Sequence, residues 1–380
     1  MTPDDVRALG GFLERQGLAR PGAADSGITV RRIGDGHANL TYLATPVAVP
    51  SARPPETRPR DARPHDTRPA DATPSSARAG AVRSVVVRRP PPPPLPPGAN
   101  DVLREARVMA AVGASSAGLP AGRRVPVPEV LATAEAGEVL ESPLFVMSYV
   151  EGPVITTDLP ESLRAASARA SFAFDLIDGL AALHSLEWTG LGLRGRPEGS
   201  NRRQLARMAA LASFGEDALP EPFREVEAWL DSTVPPESGA ALLHGDYRLG
   251  NVVAHPTLPR VAAVLDWELA TVGDPLVDLG YLLATWAVPG EAPTPIEELG
   301  VATAVAGFPS RDELAARYAS RTGADLGALD WYVAFAHFKL AALYEYSRRR
   351  FEAGDGDEYY ADPSLVARFL AAARGAARLA

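Results

Sequence analysis

The chain of 380 residues contains no cysteine, which excludes disulfide frameworks, thiolate zinc sites and cysteine nucleophiles. Any metal it holds must sit on oxygen or imidazole donors, a set that suits hard ions such as magnesium. Lysine is almost as scarce. Lys339 is the only one among 38 basic residues, so wherever a cation must meet a phosphate, arginine has to serve. The abundance of Ala, Arg, Pro and Gly is first of all a compositional bias of the kind a GC-rich genome imposes. No stretch stays apolar for the ~18 residues a membrane span needs, and the opening MTPDDVRALGGFLERQGL has neither the basic region nor the apolar run of a signal peptide. A net charge of −9 speaks against a nucleic-acid binder, whose phosphate contacts call for a basic face. These absences predict a soluble, cytoplasmic protein with no membrane and no nucleic-acid partner, long enough for one large or two moderate domains.

Residues 2–17 predict an opening helix, with Thr2 as cap, Pro3 in the first turn and Val6, Leu9, Phe12 and Leu13 at helical spacing. Two β-rich runs, Ile28 to Ile33 and Leu40 to Leu43, flank a glycine turn. Residues 46–80 then change character, with Arg-Pro steps beginning at Arg53, Arg58, Arg63 and Arg68 and almost no large apolar residue. Such a segment cannot bury enough surface to offset its ordering entropy and predicts a disordered insertion. Val82 to Val87 predicts a strand, the proline run from Pro90 a stiff spacer, and Asp101 to Val112 a helix carrying Glu105. Strands are expected over 130–134 and 144–150. Beyond Gly152 the chain turns into Ala/Leu-rich helical stretches at 161–186, 202–213, 221–231, 311–321, 328–352 and 363–379. The expectation is an α+β fold of two lobes with a cleft between them: a β-rich first lobe over 1–147, including the insertion, and a helical second lobe over 148–380.

The most specific stretch is Leu243-His244-Gly245-Asp246-Tyr247-Arg248-Leu249-Gly250-Asn251-Val252-Val253, followed by Val264-Leu265-Asp266-Trp267-Glu268. An acid, an amide and a second acid, each beside an apolar β-run, are more than a turn and a helix cap. HGDYRLGN resembles the HxDxxxxN catalytic loop of the aminoglycoside phosphotransferase-like family, distant relatives of protein kinases, and LDWE resembles the metal-binding strand end that follows it. The resemblance covers nearly the whole chain apart from the insertion. It implies a two-lobed, protein-kinase-like fold, ATP and Mg2+ as cofactors, and transfer of the ATP γ-phosphate to a hydroxyl of a small-molecule substrate. Asp246 then corresponds to the base that orients that hydroxyl. Asn251, five residues on, and Asp266 correspond to the magnesium ligands, and Arg248 to the cation near the transferring phosphate. Glu268, two residues further along an expected strand, is placed on the face of Asp266 as a possible metal or water ligand. His244 packs the catalytic loop (244–251), Asp278 holds its backbone, and Asp274 before Pro275 reads as a helix cap.

In the first lobe the same resemblance sets Gly34, Gly36, His37 and Asn39 in a phosphate-covering loop, although two glycines mark any hairpin. Arg88, with Arg89 as the alternative, stands where kinases carry a phosphate-binding lysine, and Glu105 is its ion-pair partner. A hinge over 147–152 follows, with Met147 lining the adenine pocket and the backbone of Ser148 and Val150 pairing with adenine. Gly245 replaces the arginine that protein kinases use to sense a phosphorylated activation loop, and the few residues from Glu268 to Gly273 leave no room for that loop. Protein phosphorylation is therefore disfavoured. RRPP, the MSYVEG hinge and HGDYRLGN together resemble the kinase-like domain fused to acyl-CoA dehydrogenases in larger proteins, which implies a hydroxyacyl-CoA or hydroxy acid as acceptor before an aminoglycoside. Arginine at position 88 leaves one alternative of another class, a nucleotide-binding pseudokinase or scaffold. The aromatic run Trp331 to Lys339 is expected on a core helix, at its edge near the acceptor.

Overall fold

The computed structural model of the protein describes residues 1–20, 22–23, 27–34, 39–46, 84–91, 100–120, 123–189, 193, 195–216 and 218–379. The expectations for Gly36, His37 and most of the insertion at 46–80 lie outside the described residues. By its internal contacts the chain divides into two units, one of Met1–Val102 with Leu131–Tyr149, the other of Leu103–Val130 with Val150–Ala380.

Helix α1 (Pro3–Arg15) opens the first unit on a capping box. The Thr2 hydroxyl accepts from Asp5 N at 3.1 Å, and the Asp5 carboxylate accepts from Thr2 N at 2.9 Å, so two otherwise unpaired N–H groups are satisfied. Its apolar face, with Leu9, Phe12 and Leu13, is buried. Strands β1 (Ile28–Arg32), β2 (Leu40–Pro46), β3 (Val85–Arg89), β4 (Val130–Ala134) and β5 (Leu144–Ser148) form one sheet in the order β1-β2-β3-β5-β4. Side chains alternate across a strand. Val85 and Val87 therefore join the core that includes α1, with Ala44, Leu144 and Val146, while Val86 and Arg88 take the opposite face. Val86 pairs with Met147 and Arg88 with Phe145, so Arg88 and Met147 share that second face.

In the second unit α2 (Val102–Ala117) is followed by α3 (Ala166–His184), α4 (Ser200–Ser213) and α5 (Glu221–Ser232). The predicted helix over 161–186 is broken, because Ala165 is extended (φ −77°, ψ 141°) after a short 3₁₀ turn over Glu161–Leu163. Two short ladders come next, β6 (Ala241–Leu243) with β9 (Thr271–Gly273) and β7 (Val252–Ala254) with β8 (Val261–Val264). Helices α6 (Leu276–Ala284), α7 (Pro295–Glu298), α8 (Arg311–Thr322), α9 (Leu329–Glu352) and α10 (Ser364–Ala377) complete the unit. Helix α9 packs against α4, α5, α6 and α10, and Trp331, Tyr332, Phe335 and Phe338 are buried, as expected of a core helix. Among the described residues no helix is long and apolar enough to cross a membrane.

Candidate active site

The residues expected to carry chemistry fall in two connections that strand pairing sets side by side. Strand β6 leads into residues 244–251 and β7 leaves them; β8 leads into residues 265–270 and β9 leaves them. Since β6 pairs with β9 and β7 with β8, the two connections run together. Leu265 N donates to Asn251 O at 2.8 Å, and His244 Nε2 meets Leu265 O at 2.8 Å. His244 Nδ1 accepts from the Asp246 amide at 3.2 Å, so the ring proton sits on Nε2 and donates to Leu265. His244 is fully buried, 4.7 Å from the Trp267 ring, and packs the loop.

The loop backbone is held from beneath by Asp278 on α6. Its carboxylate accepts from His244 N at 2.6 Å and from Gly245 N at 2.9 Å, with His184 Nε2 at 3.3 Å. Burial alone would raise its pKa, but hydrogen bonding and charge from His184 and the Gly245 N–H hold it below the usual value. Gly245 has φ +84°, and a Cβ there would come within 2.7 Å of the Leu269 carbonyl oxygen. Only glycine satisfies both constraints. Tyr247, buried, donates to Leu176 O of α3 at 2.8 Å and anchors the far side of the loop.

Asp246 Oδ2 and the Asp246 carbonyl accept from Asn251 Nδ2 at 2.6 and 2.9 Å. Asp246 Oδ1 is buried without a hydrogen bond of normal geometry, with Arg248 Nε at 3.4 Å. Both amide hydrogens of Asn251 being committed to Asp246, its amide oxygen is left for another partner.

The expectation that Asp266 and Glu268 share a strand face is wrong. Strand β8 ends at Val264, Asp266 lies in the left-handed region with φ +66°, and Glu268 sits in a turn. The buried Trp267 indole donates back to Val264 O at 3.1 Å and turns the chain. A left-handed non-glycine residue costs on the order of 1 kcal/mol, and such strain gathers at functional sites. Arg104 of α2 straps this turn, its guanidinium donating to Glu268 O at 3.2 Å and also to Ala270 O. Among the described residues no group of three or more His, Cys, Asp or Glu is gathered for a metal; the side-chain oxygen donors in the paired connections include the Asp246, Asp266 and Glu268 carboxylates and the Asn251 amide.

The remaining predicted residues are placed as follows. Arg88 is buried on β3 opposite Thr41 and Phe145. Arg89, its alternative, lies near Ser142 (Nη1 to Oγ, 3.5 Å) and 5.9 Å from the Tyr42 ring centroid. Glu105 is buried on α2. Gly34 is exposed with φ +73°, whereas Asn39 is buried and its side-chain oxygen accepts from Asn100 Nδ2 at 3.2 Å. Met147 and Ser148 end β5, and Val150 follows in irregular backbone.

Sequence reasoning missed three participants. Asp274 does cap α6 through Leu276 N at 3.0 Å, but it is also a fully buried hub that accepts from Asn201, the Ser238 amide and hydroxyl, and the Tyr332 hydroxyl at 2.6 Å. Tyr281 on α6 is buried, and its hydroxyl is pushed well above its ordinary pKa by burial and by the Asp246 charge. Lys339 Nζ donates to Gly245 O at 2.6 Å and lies 4.6 Å from the Tyr281 ring centroid. A lone lysine in an apolar helix was the one available signal.

A model of the phosphotransferase enzyme family, APH, matches residues 29–332. Acyl-CoA dehydrogenase family member 11 of Gallus gallus is 34% identical over 273 residues, covering 69% of this chain and 33% of that protein. The chain thus spans about a third of the length of the curated relatives it matches. Among solved structures, a putative aminoglycoside phosphotransferase of Ralstonia eutropha JMP134 superposes with a TM-score of 0.68 at 24% identity, over 97% of this chain and 98% of that one. A thermostable mutant of aminoglycoside phosphotransferase APH(4)-Ia, in ternary complex with AMP-PNP and hygromycin B, gives a TM-score of 0.55 at 15% identity, over 97% and 98%. The expected α+β, protein-kinase-like fold class and the family resemblance are both borne out.

Proposed function

This chain belongs to the phosphotransferase enzyme family, and from that premise we propose that it transfers the γ-phosphate of ATP to a hydroxyl of a small molecule. One observation carries the assignment of the base: a carboxylate oxygen, Asp246 Oδ1, is buried without a hydrogen bond while its twin is fixed by Asn251. An unsatisfied buried acceptor is costly, and an incoming hydroxyl would supply the missing donor. Asp246 accepts that bond, orients the oxygen for in-line attack and takes its proton as the phosphoryl group moves.

Asn251, through its amide oxygen, and Asp266 would hold Mg2+, with Glu268 as a further ligand to it or to its water. The ion, when bound, neutralises charge on the phosphate oxygens. Arg248, whose Nε lies 3.4 Å from Asp246 Oδ1, supplies the cation for the transferring phosphate. For the nucleotide we keep the assignments implied by the resemblance: Arg88 with Glu105 for the phosphates, Gly34, Gly36, His37 and Asn39 for the covering turn, and Met147, Ser148 and Val150 for adenine. AMP-PNP in the APH(4)-Ia complex supports ATP as donor. The acyl-CoA dehydrogenase relatives support a hydroxyacyl-CoA or hydroxy acid as acceptor, ahead of an aminoglycoside. The alternative, a nucleotide-binding pseudokinase, is favoured only by arginine at position 88.

The test is ADP release from Mg-ATP with a panel of hydroxylated metabolites. Asp246→Asn should keep nucleotide affinity and lower turnover by about 10²-fold to 10⁴-fold, the range for a lost general base, whereas Asp266→Ala should lose Mg-ATP binding and turnover together. Equal loss of nucleotide binding in both variants refutes this division of roles, and wild-type turnover in Asp246→Asn refutes phosphotransfer.

A further inference from the structure

Gly245 is gripped through both of its backbone groups: its N–H donates to Asp278 on α6, and its carbonyl accepts from Lys339 on α9 at 2.6 Å. The two helices come close enough for this because of Gly280, where a Cβ would meet the Tyr332 backbone and Cβ at 2.7 Å. Tyr332 is seven residues before Lys339, two helical turns along the same face of α9. Close contact at Gly280 therefore lays the lysine stem over the next residue of α6, Tyr281, with Nζ 4.6 Å from its ring centroid. The ring face attracts the ammonium, so Tyr281 holds Lys339 over the loop. Burial depresses the Lys339 pKa, while the charges of Asp246 and Asp278 work to raise it.

Lys339 is also the only lysine of the chain. Thirty-seven arginines serve everywhere else, but a guanidinium fork is planar and broad, whereas this position offers one carbonyl and one ring face, which suit a compact point charge. We infer that Lys339 and Tyr281 are positioning residues of the transfer reaction: Lys339 sets the plane of the peptide before Asp246, and the Tyr281 ring holds the Lys339 ammonium in place for it. This inference rests on the phosphotransferase reading given above. Neither side chain is assigned contact with nucleotide or acceptor; both act through Asp246.

The test uses the full chain with Mg-ATP alone, water serving as acceptor and ADP release as the readout, alongside the Kd for Mg-ATP. Lys339→Met keeps the stem and removes the cation. Tyr281→Leu removes the ring face beneath Lys339 and leaves the lysine in the chain, so it remains informative if the lysine variant is poorly folded. Each should lower turnover by roughly 10-fold or more while the Kd for Mg-ATP stays within about 3-fold, the signature of an interaction made in the transition state. In an Asp246→Asn background the same substitutions should add almost nothing, because residues acting through one group are not additive. Packing residues would instead lower turnover by the same factor with or without Asp246. That multiplicative outcome, or unchanged turnover in both single variants, overturns the inference and leaves phosphotransfer standing. An Asp246→Asn variant with undiminished ADP release overturns both.

Discussion

Asp278→Asn isolates what the acid beneath the catalytic loop contributes, because it changes charge and one acceptor while keeping shape. The native carboxylate accepts from His244 N at 2.6 Å, Gly245 N at 2.9 Å and His184 Nε2 at 3.3 Å. An asparagine placed the same way keeps one oxygen, for His244 and His184, and turns its NH2 toward the Gly245 N–H, donor against donor. One charge-assisted bond is lost outright and two become neutral, a destabilisation of about 3 kcal/mol, taking 1.5–3 for a bond to a charged group. Urea unfolding should show that loss as a lower midpoint at unchanged m. The pH dependence supplies a second check with a definite sign. The Asp278 pKa is held below its ordinary value of 3.8, so its contribution is fully present above that value and disappears as pH falls through the folded pKa. The gap between native and variant should accordingly be constant near neutrality and close in acid. Turnover should fall as well, because the Gly245 N–H beside Asp246 loses its acceptor. Equal urea midpoints at pH 7, or a gap that widens in acid, would refute the account.

Gly245→Ala should lower both the melting temperature and turnover, since φ +84° costs an alanine about 1 kcal/mol before its Cβ meets Leu269 O at 2.7 Å; wild-type values in both assays would show that the two connections can separate freely. Burial pushes His337 down to about 3 from 6.5, so the unfolded chain takes up a proton that the folded one refuses, and stability should fall by about 2 kcal/mol between pH 7 and 5 from this group. His337→Leu should flatten that slope in urea titrations, and an unaltered slope would mean the imidazole is accessible to protons. Tyr247→Phe removes the bond to Leu176 O at 2.8 Å and should cost about 1 kcal/mol, readable as a shifted urea midpoint; no shift would mean that this anchor contributes nothing.

Local chemistry was legible in the sequence, and long-range chemistry was not. Thr2 and Asp5 announce their capping box because both halves lie within one turn, and Asp246 and Asn251 announce the loop because five residues separate them and the Asn251 amide closes back on Asp246. Asp278, 33 residues from Gly245, could be named only through the family resemblance. The left-handed turn at Asp266 escaped, since Asp-Trp-Glu between apolar residues reads as a continuing strand until the Trp267 indole is seen bonding back to Val264. Asp274 was legible only as a cap: its other partners Asn201 and Tyr332 lie 73 and 58 residues away. Lys339 and Gly245 are 94 residues apart, and only the close approach of two helices at Gly280 brings them together.

The placement of that single lysine has a practical consequence. Apart from an amino terminus, the chain offers amine-directed reagents one target, and that amine is engaged by the Gly245 carbonyl and the Tyr281 ring. Acylation of Lys339 therefore requires α9 to release the catalytic loop, so the labelling rate at this one position reports how often the loop opens. No surface lysine competes for the reagent, and the measurement needs no engineered probe.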